Sequence, residues 1–326
     1  MKRAAAAFCI AFLWLGCAAK NPSAVKPKEP DWVIAQSAKY PESVYLSGRG
    51  SGANQTIAAD RARSDLIKTL EVTVESSTLS QTSVGAGGAY ESSFSSQTLS
   101  RASRTIEGVE IADRWFDAGR DLHYALAVLD RRKAANRLEE EMGQLESEIG
   151  TLRRRAAAEE DGLIRLGLLQ KAAERLEERE AKNAVIAVLQ GRSAGVYEPS
   201  SALKNERLTA LRELKLAVTA EDAKARGAVV SALGKAGFVL VEPAQAHYIL
   251  HATLQSEVRL QEGWHWSLLV LEASLSQKEG ALRNRWRFEA KSSATNPASA
   301  LERAERALAQ RLEGELPGHL MNPERP

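Results

Sequence analysis

The chain has 326 residues, with 44 Lys and Arg against 42 Asp and Glu, 44% hydrophobic residues, 6% aromatics and two cysteines. At roughly 100–200 residues per globular domain, this length suggests about two domains. The near-cancelling charge excludes a disordered polyelectrolyte and a nucleic-acid binder, and two cysteines supply neither a disulfide framework nor a four-ligand zinc site.

Lys2 and Arg3 open the chain, and Ala4 to Leu15 is an apolar run of twelve residues. That run is too short to span a bilayer stably and fits the core of a signal peptide, residues 1–16. It ends in Leu13-Trp14-Leu15-Gly16-Cys17. This start resembles the lipobox of bacterial lipoproteins, in which the cysteine is lipidated and becomes the mature N-terminus; Trp14 stands where Leu is usual. An ordinary signal peptide cut near Ala19 is the other reading. The resemblance makes Cys17 the lipidation site, carrying acyl chains (palmitate among them) whose burial holds the protein to the membrane at about 0.8 kcal/mol per methylene. Ala18, in place of the Asp that retains lipoproteins in the inner membrane, implies the outer membrane, periplasmic face. Cys9 leaves with the signal peptide, so no cysteine remains for disulfide or nucleophilic chemistry. Residues 17–30 form the lipidated tether: Pro22, Pro27 and Pro30 among Lys, Ser and Ala make an extended, semi-rigid spacer of about 3 Å per residue.

Residues 31–130 read as an α+β domain. Val44-Tyr45-Leu46 is a short strand, and the glycines of Gly48-Arg49-Gly50-Ser51-Gly52 permit a tight turn into a helix capped by Asn54. Ile57, Ala58, Ala62, Leu66 and Leu70 share one face of that helix. The G-x-G-x-G spacing lacks the last interval of the dinucleotide fingerprint and no GK[ST] follows, so it is not read as a phosphate site. Glu71 to Thr82 and Ser93 to Glu107 read as strands around Gly85-Ala86-Gly87-Gly88. Fifteen of the 33 residues from Thr73 to Thr105 are Ser or Thr. A hairpin that polar is either simply solvated or an arm that pairs edge to edge in a homo-oligomer. Val109 to Phe116 and His123 to Leu129 form a second hairpin, turning at Ala118-Gly119-Arg120, with Tyr124, Leu126 and Val128 alternating against His123, Ala125 and Ala127.

Pro30-Asp31-Trp32, Tyr45-Leu46-Ser47-Gly48-Arg49-Gly50, Ala58-Ala59-Asp60-Arg61-Ala62-Arg63, Gly108-Val109-Glu110-Ile111-Ala112-Asp113-Arg114-Trp115 and Tyr124-Ala125-Leu126-Ala127-Val128-Leu129-Asp130-Arg131 occur in this order. Over about residues 30–135 the chain resembles the LPP-type family of surface lipoproteins, named after a twenty-kilodalton bacterial antigen, to which flagellum-associated outer-membrane lipoproteins also belong. The resemblance implies a compact α+β domain without catalytic residues that works in assemblies at the outer membrane.

Residues 131–200 turn helical. Leu138, Met142, Leu145, Ile149 and Leu152 step by four and three, the a/d seam of a coiled coil. After a break at Glu159-Glu160-Asp161-Gly162, the residues Leu166, Leu169, Ala173 and Leu176 continue the seam, and Val185, Val188 and Leu189 end it. Two helices of about 28 residues, each about 40 Å long, fold back as an antiparallel hairpin. It serves either as a spacer between domains or as a partner-binding coiled coil.

Residues 201–326 read as a second α+β domain. Leu214 to Val218 is a strand, Ala223 to Ala236 a helix, and Phe238 to Val241 a further short strand. Long strands follow at His247 to Leu260, Trp264 to Gln277 and Leu282 to Ser292. A helix from Pro297 puts Leu301, Ala304, Leu308 and Leu312 on one side, and Pro317-Gly318 stops it. The β-α-β-β-β-α order, with Ala246-His247-Tyr248-Ile249-Leu250, resembles periplasmic domains of lipoproteins that activate penicillin-binding proteins or support secretion.

His247, His251 and His265 lack the glutamate of an H-E-x-x-H site and read as ordinary histidines rather than zinc ligands. Trp264 and Trp266 share a strand face, where they either stack on a glycan or pack under a loop. Arg283, Arg285 and Arg287 alternate with Asn284, Trp286 and Phe288, as a stripe that meets an anionic partner or as the wet face of a sheet. These five residues are the candidate partner-binding positions. A catalytic triad needs a geometry that spacing alone does not supply, so the chain is read as no enzyme, with no cofactor and no metal. The fold class is α+β: two small domains with antiparallel sheets joined by a long helical hairpin. The expected function is a non-catalytic scaffold of a cell-envelope assembly, with protein partners there and the flagellar outer-membrane apparatus first among them by resemblance. The alternative is a periplasmic regulator that activates a peptidoglycan synthase.

Overall fold

The computed structural model describes residues 29–84, 96–192, 199–278 and 280–321. The signal segment, Cys17, most of the tether and the Gly85–Gly88 stretch lie outside the described residues. The chain is α+β, with two sheets and eight helices among the described residues.

In the N-terminal part, a short helix α1 (Asp31–Ile34) precedes β1 (Tyr45–Gly52), α2 (Gln55–Val84), α3 (Ser96–Arg104), β2 (Glu110–Asp117) and β3 (Leu122–Asp130). The antiparallel sheet has the order β1-β3-β2. Because β3 is central, both of its faces are covered, and Ala125 to Leu129 are all buried. Ala125, Ala127 and Leu129 meet Ala58, Ala62, Leu66 and Leu70 of α2. Leu126 and Val128, on the other face, pack under Trp32 of α1, whose indole Nε1 donates to Asp113 at 3.2 Å.

The glycines do not make a turn. Gly48, Gly50 and Gly52 all lie within β1, and their spacing of two is the period of one strand face. A Cβ at Gly48 would stand 2.3 Å from Leu66 N, and one at Gly50 would stand 2.3 Å from both Ala58 O and Ala62 N. The absence of side chains brings the α2 backbone against the sheet. Asn54 does cap α2, its Oδ1 accepting from Ile57 N at 2.9 Å.

The expected Ser/Thr-rich β hairpin is instead helical on both sides: α2 runs on to Val84 and α3 occupies part of the second predicted strand. The buried Ala58, Ala62, Leu66 and Leu70 step by four and continue to Val74, so one apolar stripe carries the helix past Leu70. Two of the hydroxyls bond back into their own helices, Thr73 Oγ1 to Thr69 O at 2.7 Å and Ser103 Oγ to Leu99 O at 3.1 Å, while Ser100 Oγ of α3 donates across to Glu71 of α2 at 2.9 Å. A β-favouring composition yields here to a stripe that helical packing buries.

The hairpin follows as α4 (Arg131–Ala158) and α5 (Gly162–Leu189), 28 residues each. Leu138, Leu145 and Leu152 of its seam are buried between the two helices. One end, with Ala134, Leu138, Ala184 and Val185, belongs to the N-terminal core. The other end, with Leu152, Leu163, Leu166 and Leu169, belongs to the C-terminal core. The hairpin is a wall shared by both cores.

A helix absent from the sequence reading, α6 (Pro199–Glu213), packs on α5 through Leu203, Ala210 and Leu211. Then come β4 (Leu216–Ala220), α7 (Ala223–Lys235), a 3-10 turn at Pro243–Gln245, β5 (Tyr248–Gln261), β6 (Trp264–Gln277), β7 (Leu282–Ala294) and α8 (Pro297–Met321). The sheet order is β4-β5-β6-β7, with β4 parallel to β5 and the rest antiparallel. The short strand expected at Phe238 to Val241 reduces to one isolated bridge, Leu216 to Leu240. Pro317 does not stop α8, which continues to Met321. Leu308, Leu312, Leu316 and Leu320 recur every fourth residue and are all buried, so the burial of the last turn outweighs the one backbone bond that Pro317 lacks.

Candidate interaction surfaces

Alternation on the C-terminal sheet sorts its side chains into two faces. Leu250, Ala252, Leu271, Ala273, Trp286 and Phe288 turn towards the helices and are buried. The other face has no helix on it among the described residues, and on it the register aligns Arg259 with Trp266 and Trp266 with Ser293. Trp264, 48% exposed, and Trp266 stand on this open face. Lys291 lies beside Trp266 on it, with its Nζ 4.7 Å from the indole, a cation–π contact. Arg285 and Arg287 are exposed on the same face, and Arg287 pairs with Glu289 at 2.7 Å. Six residues of strand, about 20 Å, separate Arg287 from the position opposite Trp266. The tryptophans and these arginines share a face but form no single cluster.

Arg283 leaves the expected stripe. The β6–β7 register slips at Leu275/Ser276, where Asn284 pairs with Leu275 and Leu282 with Ser276, so Arg283 is the extra residue of a bulge. Its guanidinium donates to Asp161 Oδ2 at 2.5 Å and lies 5.6 Å from the Tyr248 ring centre. Asp161 is the N-cap of α5 and accepts from Leu163 N at 3.0 Å and Ile164 N at 3.1 Å. The Tyr248 hydroxyl donates to the same carboxylate. Burial pushes the Asp161 carboxyl up, but the hydrogen bonds from Arg283, Ile164 N–H and Tyr248 outweigh it and hold its pKa below the usual value. Burial, reinforced by the carboxylate, pushes the Tyr248 phenol up to about 12. This clamp ties the turn of the hairpin to strands β5 and β7. The sequence marks Asp161 as a helix start, but no local signal pairs it with Arg283.

Beside the clamp, a cleft of about 410 Å³ lies between the hairpin turn, α6 and the start of β5. Arg165 and Glu213 approach to 3.5 Å across it, and Arg165 also donates to the Glu159 carbonyl. The cation and the carboxylate of this pair are thus engaged with each other.

Along the hairpin, Arg179 pairs with Glu146 and Lys182 with Glu141, both at 2.6 Å, between the two apolar cores. Of the histidines, His251 Nδ1 contacts Thr219 Oγ1 at 3.1 Å. His265 pairs across from Leu260, nine residues along β5 from His251 and about 30 Å away. No group of three metal-ligating side chains occurs among the described residues. Two spacings familiar from nucleophilic enzymes occur in the chain. Gly191-Arg192-Ser193-Ala194-Gly195 comes after α5 in sequence, with Ser193 to Gly195 outside the described residues, and Ser201 and Lys204 are exposed on α6. No helix among the described residues is long and apolar enough to cross a membrane. Cys17 lies outside the described residues.

Among the solved structures similar to this chain are three from bacterial pathogens. The secreted protein HP1454 of Helicobacter pylori matches at 12% identity and a TM-score of 0.44, over 85% of this chain and 96% of its own. Lipoprotein GNA1162 of Neisseria meningitidis matches at 12% identity and a TM-score of 0.23, over 32% of this chain and 98% of its own. The hypothetical protein CT253 of Chlamydia trachomatis matches at 9% identity and a TM-score of 0.23, over 31% and 95%. No curated protein matches. The family model that does match, over residues 30–130, is that of the LPP20 lipoprotein family, and it covers the first sheet with the helices α1 to α3.

Proposed function

We propose that this chain is a lipid-anchored protein of the outer membrane, held through Cys17, whose body binds envelope partners and catalyses nothing. The observation that carries the reading is the lipoprotein-family match, which begins at residue 30, where the proline-containing tether after Cys17 ends. The body suits a frame: one hairpin serves as a wall of both cores, and the Asp161 clamp fixes its turn to the second sheet. In this reading the acyl chains supply location, the tether supplies reach, and the open sheet face with Trp264, Trp266, Arg285 and Arg287 supplies contacts. The flagellar outer-membrane apparatus is the first assembly to examine, by resemblance.

Cys17→Ala moves the protein from the membrane to the soluble fraction; a variant that stays membrane-bound overturns the anchor. In-cell crosslinking with mass spectrometry then separates the roles. Capture of outer-membrane assembly components supports the scaffold, whereas capture of a peptidoglycan synthase whose polymerisation rate rises on addition of this protein replaces it with the regulator.

A further inference from the structure

We propose that two copies of this chain join through strand β5, antiparallel and edge to edge, about a twofold axis through Val258. The inference rests on the C-terminal sheet alone and is independent of the lipid anchor.

Strand β5 is twice as covered at its start as at its end. β4 pairs with it only from Leu216–Tyr248 to Ala220–Ala252. Beyond Ala252 no strand among the described residues lies on its edge opposite β6, and residues 255–261 are all exposed. The direction of the main-chain groups follows from the hairpin. Gln261 and Trp264 close a two-residue turn at Glu262-Gly263, both with positive φ (52° and 79°), the type I′ geometry whose flanking pair is hydrogen-bonded. Odd-numbered residues of β5 therefore bond to β6, as His247 O does in accepting from Lys278 N at 3.0 Å. Even-numbered residues point outward, as Tyr248 N does in donating to Lys215 O at 3.2 Å. Leu254, Ser256, Val258 and Leu260 thus present N–H and C=O groups to an open edge.

Such an edge is usually blunted by lysine, proline or a bulge. Thr253-Leu-Gln-Ser-Glu-Val-Arg-Leu-Gln261 has no lysine, no proline and no register slip against β6. Val258 and Leu260 are instead 43% and 67% exposed, large apolar side chains at the edge.

The occupant is set by symmetry and charge. In an antiparallel pair of identical strands, outward groups face each other when the axis passes through a residue, and an axis at Glu257 or Arg259 would set that charge against its own copy. An axis at Ser256 would place Leu260 opposite Ala252, which β4 already holds. An axis at Leu260 would pair fewer residues. With the axis at Val258, the exposed stretch 255–261 pairs over its full length: Val258 meets Val258, and Ser256 meets Leu260 of the second copy. This register sets Glu257 opposite Arg259 of the second copy, twice, on the open face of the sheet. The two side chains already pair within one chain at 2.5 Å while largely in water, so exchanging partners sacrifices little. The product is a continuous eight-stranded sheet.

The test is sedimentation equilibrium of the full chain purified in detergent, with circular dichroism melting as the check on folding. The parent chain is expected to be a dimer. Val258→Pro removes an outward N–H and no bond within the chain, so a folded monomer is expected. Glu257→Lys faces two positive charges across each pair and should weaken association about tenfold. Adding Arg259→Glu to Glu257→Lys should restore it. A parent chain that is monomeric overturns the proposal. So does a dimer that survives Val258→Pro, or a double charge exchange that fails to rescue.

Discussion

Replacing Asp161 by alanine removes three interactions at once, and the structure allows each to be sized. The cap on Leu163 N and Ile164 N contributes about 1 kcal/mol. The Tyr248 hydroxyl, on a buried side chain, loses its acceptor at about 1 kcal/mol. Arg283 loses its carboxylate; its side chain is 24% exposed, so water recovers part of the loss and about 1–2 kcal/mol remains. The expected destabilisation is about 3–4 kcal/mol, read as a lower urea midpoint and faster amide exchange at Leu163 and Ile164. A double-mutant cycle with Arg283→Ala isolates the ion pair: coupling of about 1–2 kcal/mol is expected, and additivity within about 0.3 kcal/mol would refute the clamp. The pH dependence gives a second reading. The folded pKa of Asp161 is depressed, so its contribution is complete above the ordinary carboxylate value of 3.8 and is lost as pH falls through the lower folded value. Asp161→Asn should remove that part of the acid-dependent loss while leaving the capping geometry in place.

Gly50→Ala should destabilise the N-terminal sheet by about 3 kcal/mol or more, because the new Cβ meets backbone atoms of α2 and not a movable side chain; thermal melting followed by circular dichroism measures it. On the hairpin, the Lys182 side chain is 10% exposed and its partner Glu141 38% exposed. Glu141→Ala, which leaves the ammonium with Glu178 at 3.9 Å, should cost about 1–2 kcal/mol. Lys182→Met returns the carboxylate to water and should cost under about 1 kcal/mol. Chemical denaturation of the two variants side by side checks the asymmetry.

The helical hairpin was legible because the a/d seam of Leu138, Leu145 and Leu152 repeats over four turns and is bounded by the capping Asp161. The β2–β3 hairpin was legible because Leu122 to Asp130 alternates about a short turn. The Ser/Thr-rich stretch was misread because strand propensity reports a side-chain environment, and here the apolar stripe that Val74 continues is buried by helical packing. Pro317 was misread in the same way: a stop signal is local, whereas the burial of Leu316 and Leu320 against the sheet is not.

Sequence alone determined the α+β fold class, since period and length are properties of neighbouring residues. It placed the helical hairpin and most of the strands. Tertiary structure decided the rest, because each remaining feature joins residues far apart in the chain. Glycines that look like a loop became the seat of α2, Arg283 left its stripe through a one-residue bulge, and Asp161 met it across the molecule. The open edge of β5 exists only because β4 is five residues long and β5 fourteen, a difference that becomes a surface once the two strands lie side by side.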